Sequence, residues 1–182
     1  MSKKGLAVTK TIVTLSLLAA MSIVLSRILA VNVGPYRFSI GSMPLLLAGL
    51  LFGPVGGALC GFAADFLGAF FLGNGPYSPM LAPTPILMGL LPGLLRHFVW
   101  EKPGSVSRYI LALLPSYIVG SMGYSTFILS KYIYGQPFLP LFMQRVVIYA
   151  VTFVVDAAIV FLLVRSGIFH NTGIIERSDA RK

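Results

Sequence analysis

Long apolar segments, separated by short stretches rich in glycine, proline and polar residues, dominate this chain. An apolar run of about 20 residues is long enough for a helix to cross the hydrocarbon core of a bilayer. Breaker sequences such as Gly53-Pro54 and Gly75-Pro76 divide the runs. The pattern predicts helices over residues 11–31, 40–52, 55–72, 80–98, 108–131 and 140–165. We therefore expect an all-α integral membrane protein, a six-transmembrane-helix bundle that forms one domain over residues 1–182.

Composition supports a lipid environment and excludes several kinds of chemistry. Hydrophobic residues make up 57% of the chain and charged residues only 10%, whereas a soluble domain has about 25% charged residues. Cys60 is the single cysteine, and the two histidines, His97 and His170, lie in polar flanks. We therefore expect no disulfide, no metal site and no cofactor. The chain has no P-loop motif and no set of catalytic residues, so an enzyme is disfavoured.

The net charge of +9 is distributed as short clusters at the ends of the predicted helices. If both termini are cytoplasmic, the inner flanks hold ten of the 14 lysines and arginines, as expected for cytoplasmic flanks. These are Lys3, Lys4, Lys10, Arg96, Lys102, Arg108, Arg165, Arg177, Arg181 and Lys182. The bias predicts a multi-pass membrane protein with cytoplasmic N- and C-termini. No continuous basic face is present, so we do not expect nucleic-acid binding.

The remaining four cations lie in the outer half of the predicted bundle. They are Arg27, Arg37, Lys131 and Arg145, and the only acid predicted at the same depth is Asp65. Charges within membrane helices are tolerated when they face the bundle interior or a wet cavity. One interpretation is structural: an ion pair of Arg27 or Arg145 with Asp65, and snorkelling by Lys131. The other is a ligand that carries carboxylate or phosphate, which the surplus of cations favours.

Polar and aromatic residues recur on single faces of the last two predicted helices. Arg145, Tyr149, Thr152 and Asp156 follow the i, i+4, i+7, i+11 spacing of one helix face. Tyr117, Tyr124 and Lys131 recur every seven residues on the preceding helix. Such stripes suit a pocket that stacks a flat ring and hydrogen-bonds its edge. For some of these tyrosines, the alternative is an aromatic belt at the membrane interface.

Small residues predict close helix contacts. Gly57 and Gly61 are one helical turn apart, a spacing that allows two backbones to approach closely. Ser16 and Ala20 have the same spacing on the first predicted helix. Packing within the chain is the default interpretation for such pairs. A docking face for a partner is the alternative for the pair on the first helix.

Several segments resemble the substrate-binding S components of energy-coupling factor (ECF) vitamin transporters, and most closely the folate family. The resemblance extends from about residue 10 to residue 165. It is carried by Leu25-Ser26-Arg27, by residues 37–44 and 47–54, by Gly57 to Gly61, by Asp65-Phe66-Leu67-Gly68 and by Gly75-Pro76-Tyr77-Ser78-Pro79.

The resemblance implies a protein that captures a vitamin from outside the cell. Such a protein then docks onto a transmembrane scaffold subunit and two ATPase subunits, and Ser16 and Ala20 occupy the positions that contact the scaffold. Loops 32–39 and 73–79 would gate the pocket. For folate we expect Arg27, with Arg37 or Arg145, to bind the carboxylates. Tyr77, Tyr124 and Tyr149 would contact the rings.

Other functions stay open at this point. A different vitamin, such as pantothenate, riboflavin or thiamine, keeps the class and changes the ligand. Neutral riboflavin would leave the cations unexplained, and pantothenate, a monoanion, would use only some of them. A stand-alone secondary transporter often has paired repeats, and no convincing repeat is visible. A membrane-embedded enzyme would need catalytic groups that the sequence does not show.

Overall fold

The computed structural model describes residues 3–33, 36–72, 79–101, 105–135 and 137–166, without the side chains of residues 3–7 and 31–37. The described residues form five helical segments and one short antiparallel ribbon. The helices are α1 (Lys3–Ile23, extended by a π-helical segment, Val24–Ile28), α2 (Ser42–Phe71), α3 (Pro83–Trp100, preceded by a 3-10 turn, Pro79–Leu81), α4 (Val106–Tyr134) and α5 (Phe138–Arg165). The ribbon consists of β1 (Val31–Val33) and β2 (Tyr36–Phe38).

The distribution of apolar residues is that of a membrane protein. Within the described ranges, four segments are long and apolar enough to cross a bilayer: Val8–Ile28, Ser42–Phe71, Val106–Tyr134 and Phe138–Arg165. Large apolar side chains such as Phe70 and Val55 are exposed, whereas Ser116, Thr126 and Asp156 are completely buried. A chain with apolar groups outside and hydroxyl and carboxyl groups inside is stable where lipid replaces water around it.

Helix α2 reverses direction at Gly53. This residue has φ 85° and ψ −174°, a backbone conformation that glycine adopts without a steric penalty. A Cβ atom at Gly57 would lie only 2.7 Å from Cα of Gly49, although eight residues of straight helix span about 12 Å. The predicted helices 40–52 and 55–72 are thus the two arms of α2, residues 42–52 and 54–71. Only one residue, Gly53, departs from helical geometry between the two arms, so they form one continuous element. The described residues therefore contain five helical segments rather than the predicted six.

The C-terminal part of α3 holds this reversal in place. The carbonyl of Leu50 would bond the N–H four residues later, but that residue is Pro54, which has none. The indole Nε1 of Trp100 donates to this carbonyl instead, at 3.1 Å. The guanidinium of Arg96 lies against the turn, where a Cβ at Gly53 would be 2.9 Å from its Nη1. The turn therefore requires glycine for both its φ angle and its surroundings.

Glycines bring the backbones of α2 and α3 into direct contact. A Cβ at Gly57 would lie 2.1 Å from the carbonyl oxygen of Gly89, and one at Gly61 would lie 2.1 Å from that of Pro85. Real Cβ atoms do not approach backbone atoms so closely, so larger residues would separate the helices. The prediction that Gly57 and Gly61 pack within the chain is confirmed.

The ribbon differs from the prediction of a polar elbow over residues 32–39. Its register pairs Val31 with Phe38 and Val33 with Tyr36. Helix α1 correspondingly ends at Ile28 instead of residue 31, because Val31 joins a strand. The Val-Asn-Val and Tyr-Arg-Phe triplets alternate apolar and polar residues, as strands do. Three residues are too few to stand out beside a long apolar run.

Candidate functional site

A cavity of about 430 Å³ lies between the helices, within the range of sites that bind small molecules. All five helices contribute to its wall. The polar lining residues include Ser22, Ser26 and Arg27 of α1, Ser42 and Asp65 of α2, Thr84 of α3, Tyr117 and Ser121 of α4, and Tyr149 and Thr152 of α5. Space remains because short hydroxyl side chains occupy positions where a closed bundle would have large apolar ones.

Arg27 and Asp65 face each other across this cavity. Arg27 comes from the π-helical segment at the end of α1, and Asp65 from the second arm of α2. Arg27 Nη2 lies 3.8 Å from Asp65 Oδ1, and the two side chains are 23% and 20% exposed. The structure therefore contains one of the ion pairs that the sequence allowed. The separation is long for a hydrogen bond, and Arg27 also lines the cavity, where its guanidinium can meet a ligand.

Arg145 lies beside the cavity, one turn before Tyr149 on α5. Its Nη2 donates to Ser125 Oγ at 3.2 Å and to the hydroxyl of Tyr149. The guanidinium also lies 5.0 Å from the centre of the Tyr149 ring. Its Nε is buried and has no hydrogen-bond partner among the described residues. Arg145 thus has hydroxyl neighbours, and no acid is paired with it in the part of the chain that is described.

The polar stripe on α5 faces the interior, as its spacing predicts. Tyr149 and Thr152 line the cavity, and Asp156, one turn further along, is fully buried. Asp156 accepts hydrogen bonds from Ser42 Oγ and from the hydroxyl of Tyr117. The sequence places Asp156 on the stripe but does not identify these partners, because they belong to two other helices.

The residues of the stripe predicted on α4 do not lie on one face of the helix. Residues Ser116–Ser125 and Leu129–Tyr134 are π-helical, and i→i+5 hydrogen bonds rotate successive residues less than an α-helix does. Tyr117 lines the cavity, whereas Tyr124 does not. The Tyr124 hydroxyl donates to the carbonyl of Met80 at 2.9 Å. Lys131 is exposed, with its Nζ 5.8 Å from the centre of the Phe127 ring.

Two residues that were predicted to contact the ligand have side chains outside the described part of the structure. Tyr77 belongs to residues 73–78, which are not described, and the side chain of Arg37 is not described although its backbone lies in β2. The predicted docking pair is described. Ser16 and Ala20 are both exposed on α1, next to the exposed side chains of Val13 and Leu17.

Known proteins resemble this chain over most of its length. In sequence it is 24% identical over 147 residues to the folate transporter FolT of Clostridium novyi (strain NT), which covers 81% of this chain and 83% of that protein. In structure it is similar to FolT bound with folic acid, with a TM-score of 0.72 and 24% identity over 85% of this chain and 92% of that one.

It is also similar to the S component for biotin from an ECF-type ABC transporter, with a TM-score of 0.67 and 22% identity over 91% of this chain and 95% of that one. These structural likenesses establish a shared fold. The model of the family described as "ECF transporter, substrate-specific component" matches residues 10–171. The chain therefore belongs to the substrate-specific (S) components of ECF transporters.

Proposed function

We propose that this chain is the high-affinity folate-binding S component of an ECF-type importer in a bacterial plasma membrane. It captures the vitamin from outside and transfers it to a transmembrane scaffold subunit with two ATPase subunits. The cavity between the five helices, lined by Arg27 and adjoined by Arg145, is the observation that carries the proposal. The similarity to FolT supports folate as the ligand.

The chemistry of the cavity fits the three parts of folate. Folate has a flat pterin, an aromatic middle and a glutamate with two carboxylates. Arginine binds carboxylates through paired hydrogen bonds, so Arg27 and Arg145, with Arg37 in the adjoining ribbon, are assigned to the glutamate. The Tyr149 ring, which lines the cavity, is assigned to the aromatic parts, and Tyr77 stays a predicted contact. Tyr124 does not line the cavity and is no longer assigned to the ligand.

The same proposal includes a six-pass topology. The two arms of α2 count as separate passes because the chain reverses at Gly53. An even number of passes places both termini on one side, and the lysines and arginines near the termini assign that side to the cytoplasm. The first arm has 11 residues and spans about 16 Å, less than the hydrocarbon core, so the turn at Gly53 would lie inside the bilayer. The reversal returns the chain to the side from which this arm began, so the termini still lie on one side.

Ligand-induced stabilisation of the purified chain in detergent tests the proposed ligand. Folic acid is compared with pantothenate, riboflavin and thiamine at matched concentrations. A ligand that binds only the folded state, at a hundredfold excess over its Kd, stabilises that state by about 2.7 kcal/mol. We expect an upward shift in Tm with folic acid alone. A shift with another vitamin would reassign the ligand, and no shift with any of them would refute the binding of folate and of these three alternatives.

The dependence on partners needs a separate experiment. Vesicles that contain only this chain should not exchange folate between their two sides, whereas a stand-alone secondary transporter would catalyse counterflow. Vesicles that also contain the scaffold and ATPase subunits should accumulate folate when ATP is supplied. Counterflow by the chain alone would contradict the proposed role as a binding subunit.

A further inference from the structure

A fully buried carboxylate lies behind the wall of the cavity. Asp156 has no exposed surface, and its Oδ2 accepts hydrogen bonds from Ser42 Oγ and the Tyr117 hydroxyl. Those two hydroxyl oxygens are 3.1 Å apart, and both residues line the cavity. Asp156 Oδ1 is buried without a hydrogen-bond partner among the described residues. No cation is paired with Asp156 in that part of the chain.

The hydrogen atoms of this triad can be counted. With Asp156 ionised, each hydroxyl has one proton to donate and the carboxylate has none. Ser42 and Tyr117 either both donate to Asp156, or one donates to the other, which then donates to Asp156. In each arrangement both protons are used inside the triad. The two hydroxyl oxygens therefore present only lone pairs to the cavity.

A surface that only accepts hydrogen bonds restricts its ligands. A carbonyl or an unprotonated ring nitrogen placed there would leave acceptors facing acceptors, and each buried polar group left unpaired weakens binding. Two adjacent N–H donors would be matched. Their partial positive charge would also stabilise a carboxylate that lies in a medium of low dielectric constant.

We infer that Ser42 and Tyr117, oriented by Asp156, form the subsite that selects the heterocycle of the ligand. The matching group is a 2-amino-4-oxopyrimidine edge, in which a ring N–H and an exocyclic amino group are neighbouring donors. A flavin places its ring N–H between two carbonyls and does not match. The inference rests on the proposed function, because it assigns the pterin of folate to the part of the cavity wall that Ser42 and Tyr117 form. Ser42 and Tyr117 contact the ligand, and Asp156 is a positioning residue.

A pair of ligands that differ by one donor tests the subsite. Folic acid and 2-desaminofolic acid, in which hydrogen replaces the amino group, are titrated calorimetrically against each detergent-solubilised variant. In the unmodified chain we expect the desamino compound to bind about ten- to a hundredfold more weakly. In Tyr117→Phe and Asp156→Asn this ratio should fall below about threefold. Tyr109→Phe removes the hydroxyl of another buried tyrosine of α4, which does not line the cavity, and should keep the full ratio.

A second probe separates the subsite from the rest of the ligand. p-Aminobenzoylglutamate carries the anionic end of folate without the pterin, so its affinity should be the same in the unmodified chain and in Tyr117→Phe. If the unmodified chain binds neither folic acid nor this fragment, the proposed function itself is wrong. If folic acid binds but Tyr117→Phe keeps the full ratio, the subsite is refuted and the function stands. Should Asp156→Asn fail to fold, Tyr117→Phe and Ser42→Ala decide the question.

Discussion

Substitution of Arg27 separates the two roles that a cation can have inside a membrane bundle. Arg27 lines the cavity and faces Asp65, so its charge either neutralises that acid for stability or binds an anionic ligand. The two roles predict different effects at the two residues. An ion pair needed for stability would be weakened equally by Arg27→Ala and Asp65→Asn. A ligand contact would be lost only in Arg27→Ala.

The geometry sets the expected magnitudes. At 3.8 Å, with both side chains about one-fifth exposed, the ion pair should contribute at most about 1 kcal/mol to the free energy of unfolding. A hydrogen bond between a guanidinium and a ligand carboxylate is worth about 1.5–3 kcal/mol. Arg27→Ala should therefore weaken folate binding by about 10- to 150-fold. Asp65→Asn should leave the affinity unchanged or increase it, because it removes an acid that competes for the same guanidinium.

Calorimetric titration of folic acid into each purified variant measures these affinities, and thermal unfolding in the same detergent measures stability. The double variant Arg27→Ala/Asp65→Asn should bind as weakly as Arg27→Ala alone. Lys131→Ala removes an exposed cation and is the matched control, with no expected change in affinity. An unchanged affinity in Arg27→Ala would refute the assignment of this residue to the ligand. Equal losses of thermal stability in Arg27→Ala and Asp65→Asn would favour the structural ion pair.

Three further predictions concern the fold and the partner surface. Gly57→Ala should lower the free energy of unfolding by about 1–3 kcal/mol, whereas Gly120→Ala, whose Cβ would meet its nearest neighbour at 3.6 Å, should be tolerated in the same thermal unfolding assay. Trp100→Phe loses the hydrogen bond to the Leu50 carbonyl and should lower the free energy of unfolding by about 0.5–1.5 kcal/mol. An unchanged free energy of unfolding in a denaturation experiment would show that this hydrogen bond does not stabilise the turn. Ala20→Phe should abolish co-purification with the scaffold and folate uptake while folic acid affinity persists; normal uptake would exclude this face as the docking surface.

The sequence predicts the helices of this fold well because their determinants are local. Apolar run length defines the membrane segments, and Gly53-Pro54 marks the reversal that the structure contains. The path of the chain around that reversal depends on Trp100 and Arg96 of α3, which are far away in sequence. The β ribbon and the π-helical segments were not predicted, since neither has a strong pattern of hydrophobic positions.

The candidate site is predictable only in part for a similar reason. An α-helical period correctly places Tyr149 and Thr152 on the cavity wall. The same period groups Tyr124 with Tyr117, and π-helical geometry separates them. The hydrogen bond between Ser42 and Asp156 joins residues 114 positions apart, so no local pattern could identify it. Polar residues at helix spacing thus indicate which helices form a site, while tertiary packing determines which side chains meet.

The buried polar atoms around the cavity connect ligand binding to the stability of the bundle. Arg145 Nε and Thr84 Oγ1 are buried without hydrogen-bond partners among the described residues, and each lies on a helix that lines the cavity. Such groups are rare in folded proteins and are costly where lipid surrounds the bundle. A ligand that pairs them increases its own affinity and the free energy of unfolding together, because the two are linked by mass action. Release of a tightly held ligand then requires an opposing free energy, which the proposed scaffold and ATPase subunits would supply. Across the variants, weaker binding must therefore accompany a smaller ligand-induced rise in Tm.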